Sequence, residues 1–335
     1  VSGFEYLHVV VVGAGSIGRR HIGNLKKLGV TQITAVDPDV ERLKPVIEEF
    51  GIIPHIELEK ALERKPQAVL ICTPPSMHVE QCLVALNAGA HVFVEKPLSN
   101  SLGRIGELEK EARKAKKIVQ VGYNLRFIPA LHTLKGILDE GNLGKPMWGR
   151  FEVGQYLPDW RPTQDYRQGY SARKELGGGI ILDASHEIDL ALWLLGKPIE
   201  LCCMAGRTSD LEMDVEDTAT ILLRFENGAQ ADVHLDCVQR EYSRGLKIAF
   251  ERGTASWSWP DNILRIFEVE KGERLIYPPV GYTANQMYVD ELQHFLCSVV
   301  VGEAEDSLTG GREVVRIALE SLRSSEERTW VTLNA

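Results

Sequence analysis

Residues 9–20 read VVVVGAGSIGRR: four valines run straight into a glycine-rich turn, and the turn runs into a basic, helix-favouring stretch. A strand that is apolar at every position has to be covered on both faces, which is the situation of a parallel sheet and not of a half-solvated antiparallel one. The chain repeats that requirement several times. LHVVVV, QITAVD, AVLICT, HVFVE and IVQVG read as strands; IGRRHIGNLKKL and segments near 40–50, 76–87 and 101–116 between them read as helices. This alternation predicts an α/β domain over residues 1–122, a doubly wound parallel sheet with helices on both faces.

Past residue 122 the pattern changes. RFIPALHTLKGILDEGNLGKP reads as a helix and a turn, MWGRFEVGQYL begins a strand, and DTATILLRFENGAQADVHLDC alternates with period two. In that stretch Ala219, Ile221, Leu223, Phe225, Ala231, Val233 and Leu235 share one face. Thr218, Thr220, Leu222, Arg224, Asp232, His234 and Asp236 share the other. Asn227-Gly228 between the two halves is a hairpin signal. Helices are expected near 284–301 and 311–326. Residues 123–335 are therefore expected to form an α+β domain around a large, mainly antiparallel open sheet, joined to the first domain without a long linker.

Gly13, Gly15 and Gly18 form G-x-G-x-x-G between a strand and a helix. Their spacing suits a tight turn, a close approach of backbone N–H groups to a pyrophosphate, and helix–strand packing, with Ser16 and Ile17 in the first helical turn. Asp37 ends the next strand, where an acid can hydrogen-bond ribose hydroxyls. A dinucleotide cofactor is expected. Asp37 and Asp39 would both repel a 2′-phosphate, favouring NAD over NADP, and Arg42 is the one nearby group arguing the other way.

GGGIILDASHEIDLALWLLG, residues 177–196, is an apolar run that carries Asp183, His186, Glu187 and Asp189. On a single helix these groups share one arc with Leu182, Leu190, Trp193 and Leu194, so the helix is expected to be buried on nearly all sides. Buried ionisable groups need partners. Lys96, in VEKP at the carboxyl end of the fifth strand, is the expected partner across a cleft between the domains, together with substrate hydroxyls.

GAGSIGRRH, CTPPSMH, VEKPL, GYNLRFIP and GGGIILDASHEIDLALWLLG, in this order and spacing, resemble the Gfo/Idh/MocA family of nicotinamide-dependent oxidoreductases, over essentially the whole chain. The resemblance implies that Lys96, often followed by a cis bond to Pro97, sits between nicotinamide and substrate, and that Asp183 and His186 face the nicotinamide with His186 as proton acceptor. It also implies that Thr73, Pro74 and His78 lie along the cofactor, that Asn124 lies near its nicotinamide end and that Glu95 contributes to the same site. Many members space the aspartate and histidine as D-x-x-x-H, one residue further apart than here, which leaves the role of Asp183 less fixed than that of His186. The chemistry is hydride transfer between nicotinamide C4 and a carbinol or carbonyl carbon. An imidazole with an ordinary pKa of ~6.5 suits the hydroxyl proton, and an ammonium suits a developing alkoxide.

LPDWRPTQDYRQGYSARKELGGG leads into the catalytic helix and is dense in aromatic and basic groups. Trp160, Arg161, Tyr166 and Arg167, with Arg126 of GYNLRFIP, are expected to bind substrate, because aromatic faces stack on sugar rings and guanidinium forks grip anions. The segment looks like family members of surface-sugar and nonulosonate pathways, and this resemblance implies a sugar or amino-sugar derivative as substrate, one that carries an anionic or nucleotide group if the arginines grip it. An inositol-type polyol dehydrogenase and a non-catalytic NAD-sensing regulator are the alternatives.

A net charge of -9 argues against nucleic acid or an anionic membrane as partner. No run of eighteen apolar residues occurs, the N-terminal apolar run lacks a basic leader, and six cysteines without a C-x-x-C pair indicate neither a disulfide framework nor a zinc site or other metal. The chain is expected to be cytoplasmic. Relatives commonly pack the second-domain sheets face to face, so a homodimer or homotetramer is expected, with Arg224 and Asp232 pairing across a twofold axis.

Overall fold

The computed structural model describes residues 3–162, 164–303 and 307–333. Its first elements are β1 (His8–Val12), α1 (Ser16–Lys27), β2 (Gln32–Val36), α2 (Val40–Phe50), β3 (Ile53–His55), α3 (Leu58–Leu62), β4 (Ala68–Ile71), α4 (His78–Asn87), β5 (His91–Glu95), α5 (Ile105–Ala115) and β6 (Val119–Gly122). The six strands form one parallel sheet in the order β3-β2-β1-β4-β5-β6. The order reverses direction between β1 and β4, and ligands of such sheets bind outside the carboxyl ends of strands at that point. The valines of β1 are buried, as a two-sided strand demands.

The chain continues through α6 (Pro129–Glu140), β7 (Pro146–Gly154), α7 (Leu157–Trp160), α8 (Ile180–Asp183), α9 (Ser185–Leu195), β8 (Pro198–Gly206), β9 (Thr218–Phe225) and β10 (Gln230–Asp236). After these come β11 (Ser243–Phe250), β12 (Gly253–Trp259), β13 (Ile263–Glu268), β14 (Gly272–Ile276), α10 (Gln286–Val301), α11 (Ser307–Glu327) and β15 (Val331–Thr332). The second sheet has nine strands in the order β14-β13-β12-β11-β7-β10-β9-β8-β15. Only β7 and β10 run parallel; the other neighbours are antiparallel.

Two compact units result, Val1–Asn124 with Thr283–Arg312, and Leu125–Tyr282 with Glu313–Ala335. The sequence reading placed a single boundary at 122/123 and did not contain the return of 283–312 to the first unit. The cause is hydrophobic. Leu292, Phe295 and Leu296 of α10 are fully buried in the first unit's core, where the Phe295 ring meets Phe93 edge-on at 5.7 Å. Each such side chain contributes about 1.5–3 kcal/mol by leaving water.

The face alternation in β9 and β10 is as read: Ala219, Ile221, Leu223, Phe225, Ala231, Val233 and Leu235 are all buried. The opposite face needs two corrections. Asp236, expected there beside exposed neighbours, is buried and accepts hydrogen bonds from the Val238 and Gln239 N–H groups at 2.9 and 2.8 Å, which ties down the loop after β10. Arg224 and Asp232, expected to pair between protomers, are already paired within the chain, Arg224 with Glu200 and Asp232 with Arg150 at 2.7 Å. That face exposes apolar groups beside its charged ones: Leu222 on β9 is 42 % exposed and Met204 on β8, opposite Thr220, is 77 % exposed, while Arg224 and Arg150 are exposed as well.

Among the described residues no helix is long and apolar enough to cross a membrane.

Candidate active site

In the first unit the glycine turn follows β1. Gly13 has φ +95°, and a Cβ there would lie 2.6 Å from the Cys72 carbonyl oxygen; a Cβ on Gly18 would lie 1.8 Å from the Gly13 oxygen. Both positions are closed to any other residue. Gly15 is different. A Cβ on it would meet nothing within 4 Å, and as the residue capping α1 it has no side-chain hydrogen bond over the helix N-terminus. Open space above unsatisfied N–H groups is what a pyrophosphate needs, so the turn fits the dinucleotide that the motif implies, with exposed Ser16 and half-buried Ile17 in the first turn.

Asp37 follows β2 and is buried, its Oδ2 accepting the Ala14 N–H at 2.8 Å and its Oδ1 the Asp39 N–H at 2.9 Å. It therefore braces the glycine turn. Asp39 caps α2, and the exposed Arg42 lies against it, Nε 3.5 Å from Oδ2. The one cation that argued for a 2′-phosphate thus lies beside a carboxylate on the exposed surface.

At the carboxyl ends of β4 and β5 the expected residues divide into two groups. Lys96 is half-buried and joined to Pro97 by a cis peptide bond, Thr73 and Pro74 are half-buried, and Thr73 donates to Gln81 at 2.6 Å. His78 and Glu95, expected along the cofactor, each make hydrogen bonds to the protein. His78 is fully buried with Nδ1 2.9 Å from the Pro97 oxygen and Nε2 2.8 Å from the Thr73 oxygen. Burial pushes its pKa below the usual histidine value against the pull of those two carbonyls. Glu95 Oε1 lies 2.7 Å from His21 Nε2. Asn124 is buried and hydrogen-bonds the Tyr288 hydroxyl, whose pKa burial raises.

In the second unit the single helix expected within residues 177–196 is broken. Ala184, at φ −91° and ψ 31°, separates α8 from α9, so Asp183 ends one helix and His186 lies in the first turn of the next. The helical-face argument for that pair does not hold. Asp183 accepts hydrogen bonds from the Tyr170 hydroxyl at 2.6 Å and from the Ser171 hydroxyl, and so anchors the preceding loop.

The buried acids of α9 have partners from the same unit. Arg244 of β11 places Nε 2.8 Å from Glu187 Oε1. Arg126 grips Asp189 with two bonds, Nε to Oδ2 at 2.9 Å and Nη2 to Oδ1 at 2.6 Å. Burial raises the Asp189 pKa and the guanidinium opposes it. The partners that sequence reasoning sought in Lys96 and substrate are these arginines. His186 is buried on the same helix.

The loop before α8 is largely wired to itself. Trp160 donates its indole N–H to the Gln155 carbonyl at 2.8 Å, and the Tyr166 hydroxyl accepts the Glu212 N–H at 3.1 Å. Arg167 directs Nε and Nη2 at Asp165, at 2.8 and 3.0 Å, and Nη1 at Glu212, at 3.2 Å, an arrangement that raises its pKa chiefly through the Asp165 hydrogen bonds. Arg126 and Arg167, expected on substrate, are thus engaged by carboxylates of the chain; Arg161 is exposed. The Asp165-x-Arg167 spacing was a local signal that could have indicated this. No comparable signal marked Arg244 or Tyr288.

A glycine turn shaped for a dinucleotide, on a parallel sheet whose strand ends carry a half-buried lysine, followed by an antiparallel-sheet unit with a buried histidine, defines a two-domain nicotinamide-dependent oxidoreductase. Residues 7–123 match the family profile described as an oxidoreductase family with an NAD-binding Rossmann fold, and residues 131–256 match the Gfo/Idh/MocA C-terminal domain. The chain belongs to the Gfo/Idh/MocA family, and its cofactor is NAD. It is 28% identical to the myo-inositol 2-dehydrogenase of Thermotoga maritima over 98% of each chain. It is 32% identical to the scyllo-inositol 2-dehydrogenase (NAD(+)) of Bacillus subtilis, over 85% of this chain and 84% of that one. A solved levoglucosan dehydrogenase in complex with NADH and levoglucosan shares the fold, with TM-score 0.90 and 20% identity over 98% of this chain and 99% of that one.

Proposed function

We propose that the protein oxidises a secondary CH–OH of a neutral cyclic polyol or sugar, or reduces the corresponding ketone, with NAD(H). The observation that carries this substrate class is the engagement of Arg126, Arg167 and Arg244 by Asp189, Asp165 and Glu187. An anionic substrate calls for guanidinium forks to grip it, and those three are occupied by the chain's own acids. The names of the relatives, inositol dehydrogenases among them, support the same class.

In this reading the bound nicotinamide supplies the hydride acceptor at C4. His186 takes the hydroxyl proton as the carbinol is oxidised, and the Lys96 ammonium stabilises the oxygen as it gains charge. Gly13, Gly15 and Gly18 hold the pyrophosphate, and Asp37 excludes a 2′-phosphate by its negative charge. Asp183 fixes the loop that carries Trp160 and Tyr166, whose faces are offered to an apolar ring surface.

The test is a panel of myo-inositol, scyllo-inositol and neutral monosaccharides, each with and without a carboxylate or phosphate, followed by NADH absorbance. Turnover of neutral members at least as efficient as that of charged ones supports the reading. Turnover confined to charged members overturns it.

The exposed face of the second sheet, with Met204, Leu222 and Trp330 in contact with solvent, supports a homo-oligomer built on that face. Its contact would bury Met204, Leu222 and Trp330 beside the ion pairs that Arg224 and Asp232 already make within the chain.

A further inference from the structure

The buried stripe of α1 carries Gly18, His21, Ile22 and Leu25 at helical spacing, so the helix that presents its N-terminus to a pyrophosphate also points an imidazole into the sheet. His21 is fully buried. Its Nε2 donates to Glu95 Oε1 at 2.7 Å, and Glu95 Oε2 accepts the N–H of Lys96 at 3.3 Å. The imidazole is walled by Phe93 at 5.3 Å and Tyr288 at 6.3 Å, both edge-on, and Arg20 lies 4.5 Å above the Tyr288 ring. On the other side of the lysine, the Pro97 carbonyl is held by His78 Nδ1 at 2.9 Å.

A buried histidine bonded to a carboxylate resembles an acid–base dyad. Here the second carboxylate oxygen goes to a backbone N–H, and the imidazole is enclosed by aromatic rings. We propose that His21 and Glu95 are positioning residues: together they fix the backbone of Lys96 and tie it mechanically to the dinucleotide-binding helix. The lysine is then held from both sides, by Glu95 on its own N–H and by His78 on the following carbonyl. A misplacement of about 1 Å at a catalytic group lowers rates by about a hundredfold, so loss of this tie is read in kcat. The inference rests on Lys96 being the catalytic lysine.

The test compares His21→Leu, which removes the donor at similar volume, with His21→Gln, which keeps one. NAD and myo-inositol serve as probes. The expected result is a kcat about 10- to 100-fold lower for His21→Leu, a myo-inositol KM and an NADH Kd within about threefold of wild type, and recovery of most of the kcat in His21→Gln. A His21→Leu protein that folds and keeps wild-type kcat overturns the proposal. If His21→Leu does not fold, Glu95→Leu takes its place. It removes both acceptors, the one for the imidazole and the one for the Lys96 N–H, so the same kcat loss is expected, and wild-type kcat again overturns it. If wild-type protein turns over no polyol, the functional reading fails separately. Hydrogen exchange at the Lys96 amide then decides: faster in His21→Leu but not in His21→Gln supports the tie, and equal rates in all three overturn it.

Discussion

Arg126 meets Asp189 side-on, with Nε and Nη2 on the two carboxylate oxygens at 2.9 and 2.6 Å, and its guanidinium carbon lies 5.6 Å from the centre of the Trp193 ring. The sequence offered Arg126 as a ligand for substrate. The pair makes it a partner for a buried acid on α9, the helix that carries His186. Breaking such a pair by removing one member costs about 3–5 kcal/mol, whereas replacing both by apolar groups costs far less. Arg126→Ala is therefore expected to lower unfolding stability by that amount in urea titrations, and Arg126→Met with Asp189→Leu to recover most of it. A marginal effect of Arg126→Ala on stability, with a large rise in polyol KM, would return the residue to substrate binding.

The three glycines of the turn are predicted to fail in different ways. Gly13→Ala puts a Cβ 2.6 Å from the Cys72 oxygen at a positive φ and is expected to destabilise the fold. Gly15→Val enters open space, so thermal stability is expected to change little while NADH affinity falls at least about tenfold. Fluorescence titration and thermal melts separate the two. Wild-type protein should bind NADH more tightly than NADPH in the same titration.

Acid stability reports on Asp236. Burial pushes its carboxyl up, but hydrogen bonds from His234, Gln239 and the Val238 and Gln239 N–H groups outweigh that and hold it at about 2, below the ordinary 3.8. A folded pKa below the unfolded one gives stability that is present above about 3.8 and lost as pH falls through about 2. Asp236→Asn is expected to be about 1–2 kcal/mol less stable than wild type at pH 7. The gap should close on acidification. A gap that stays constant down to pH 2 would contradict the assignment.

Assembly is read by light scattering. A mass well above the 37.4 kDa of one chain at micromolar concentration is expected, and Leu222→Asp should lower it by placing a charge among the exposed apolar groups Met204 and Trp330. A single-chain mass for wild type across that range would contradict the oligomer.

What could be read from the sequence was local. The glycine turn, the two-sided strands and the Asn227-Gly228 hairpin each follow from residues within a few positions of one another. The return of α10 to the first unit was not legible, because the groove that Phe295 fills is made by Phe93 and its neighbours, about two hundred residues earlier. The break at Ala184 carries no glycine or proline to announce it. The partners of Glu187 and Asp189 come from Arg244 and Arg126, one on either side of the helix in sequence and both far from it, and pairing at such separation leaves no periodic trace. Asp183 shows the reverse case: Tyr170 and Ser171 were in view, and only the geometry showed that they hold it.

The central claim, that this chain moves hydride between a carbinol and NAD with His186 and Lys96 as its reacting groups, is tested most directly by label transfer. The protein is incubated with NAD and inositol deuterated at the carbinol carbon, and the nicotinamide product is weighed by mass spectrometry. The account predicts deuterium in the NADH from wild type. It also predicts a rate at least about a hundredfold lower for His186→Ala and for Lys96→Ala, with NADH affinity within a few-fold of wild type. Deuterium transfer at wild-type rates by either variant would contradict the account.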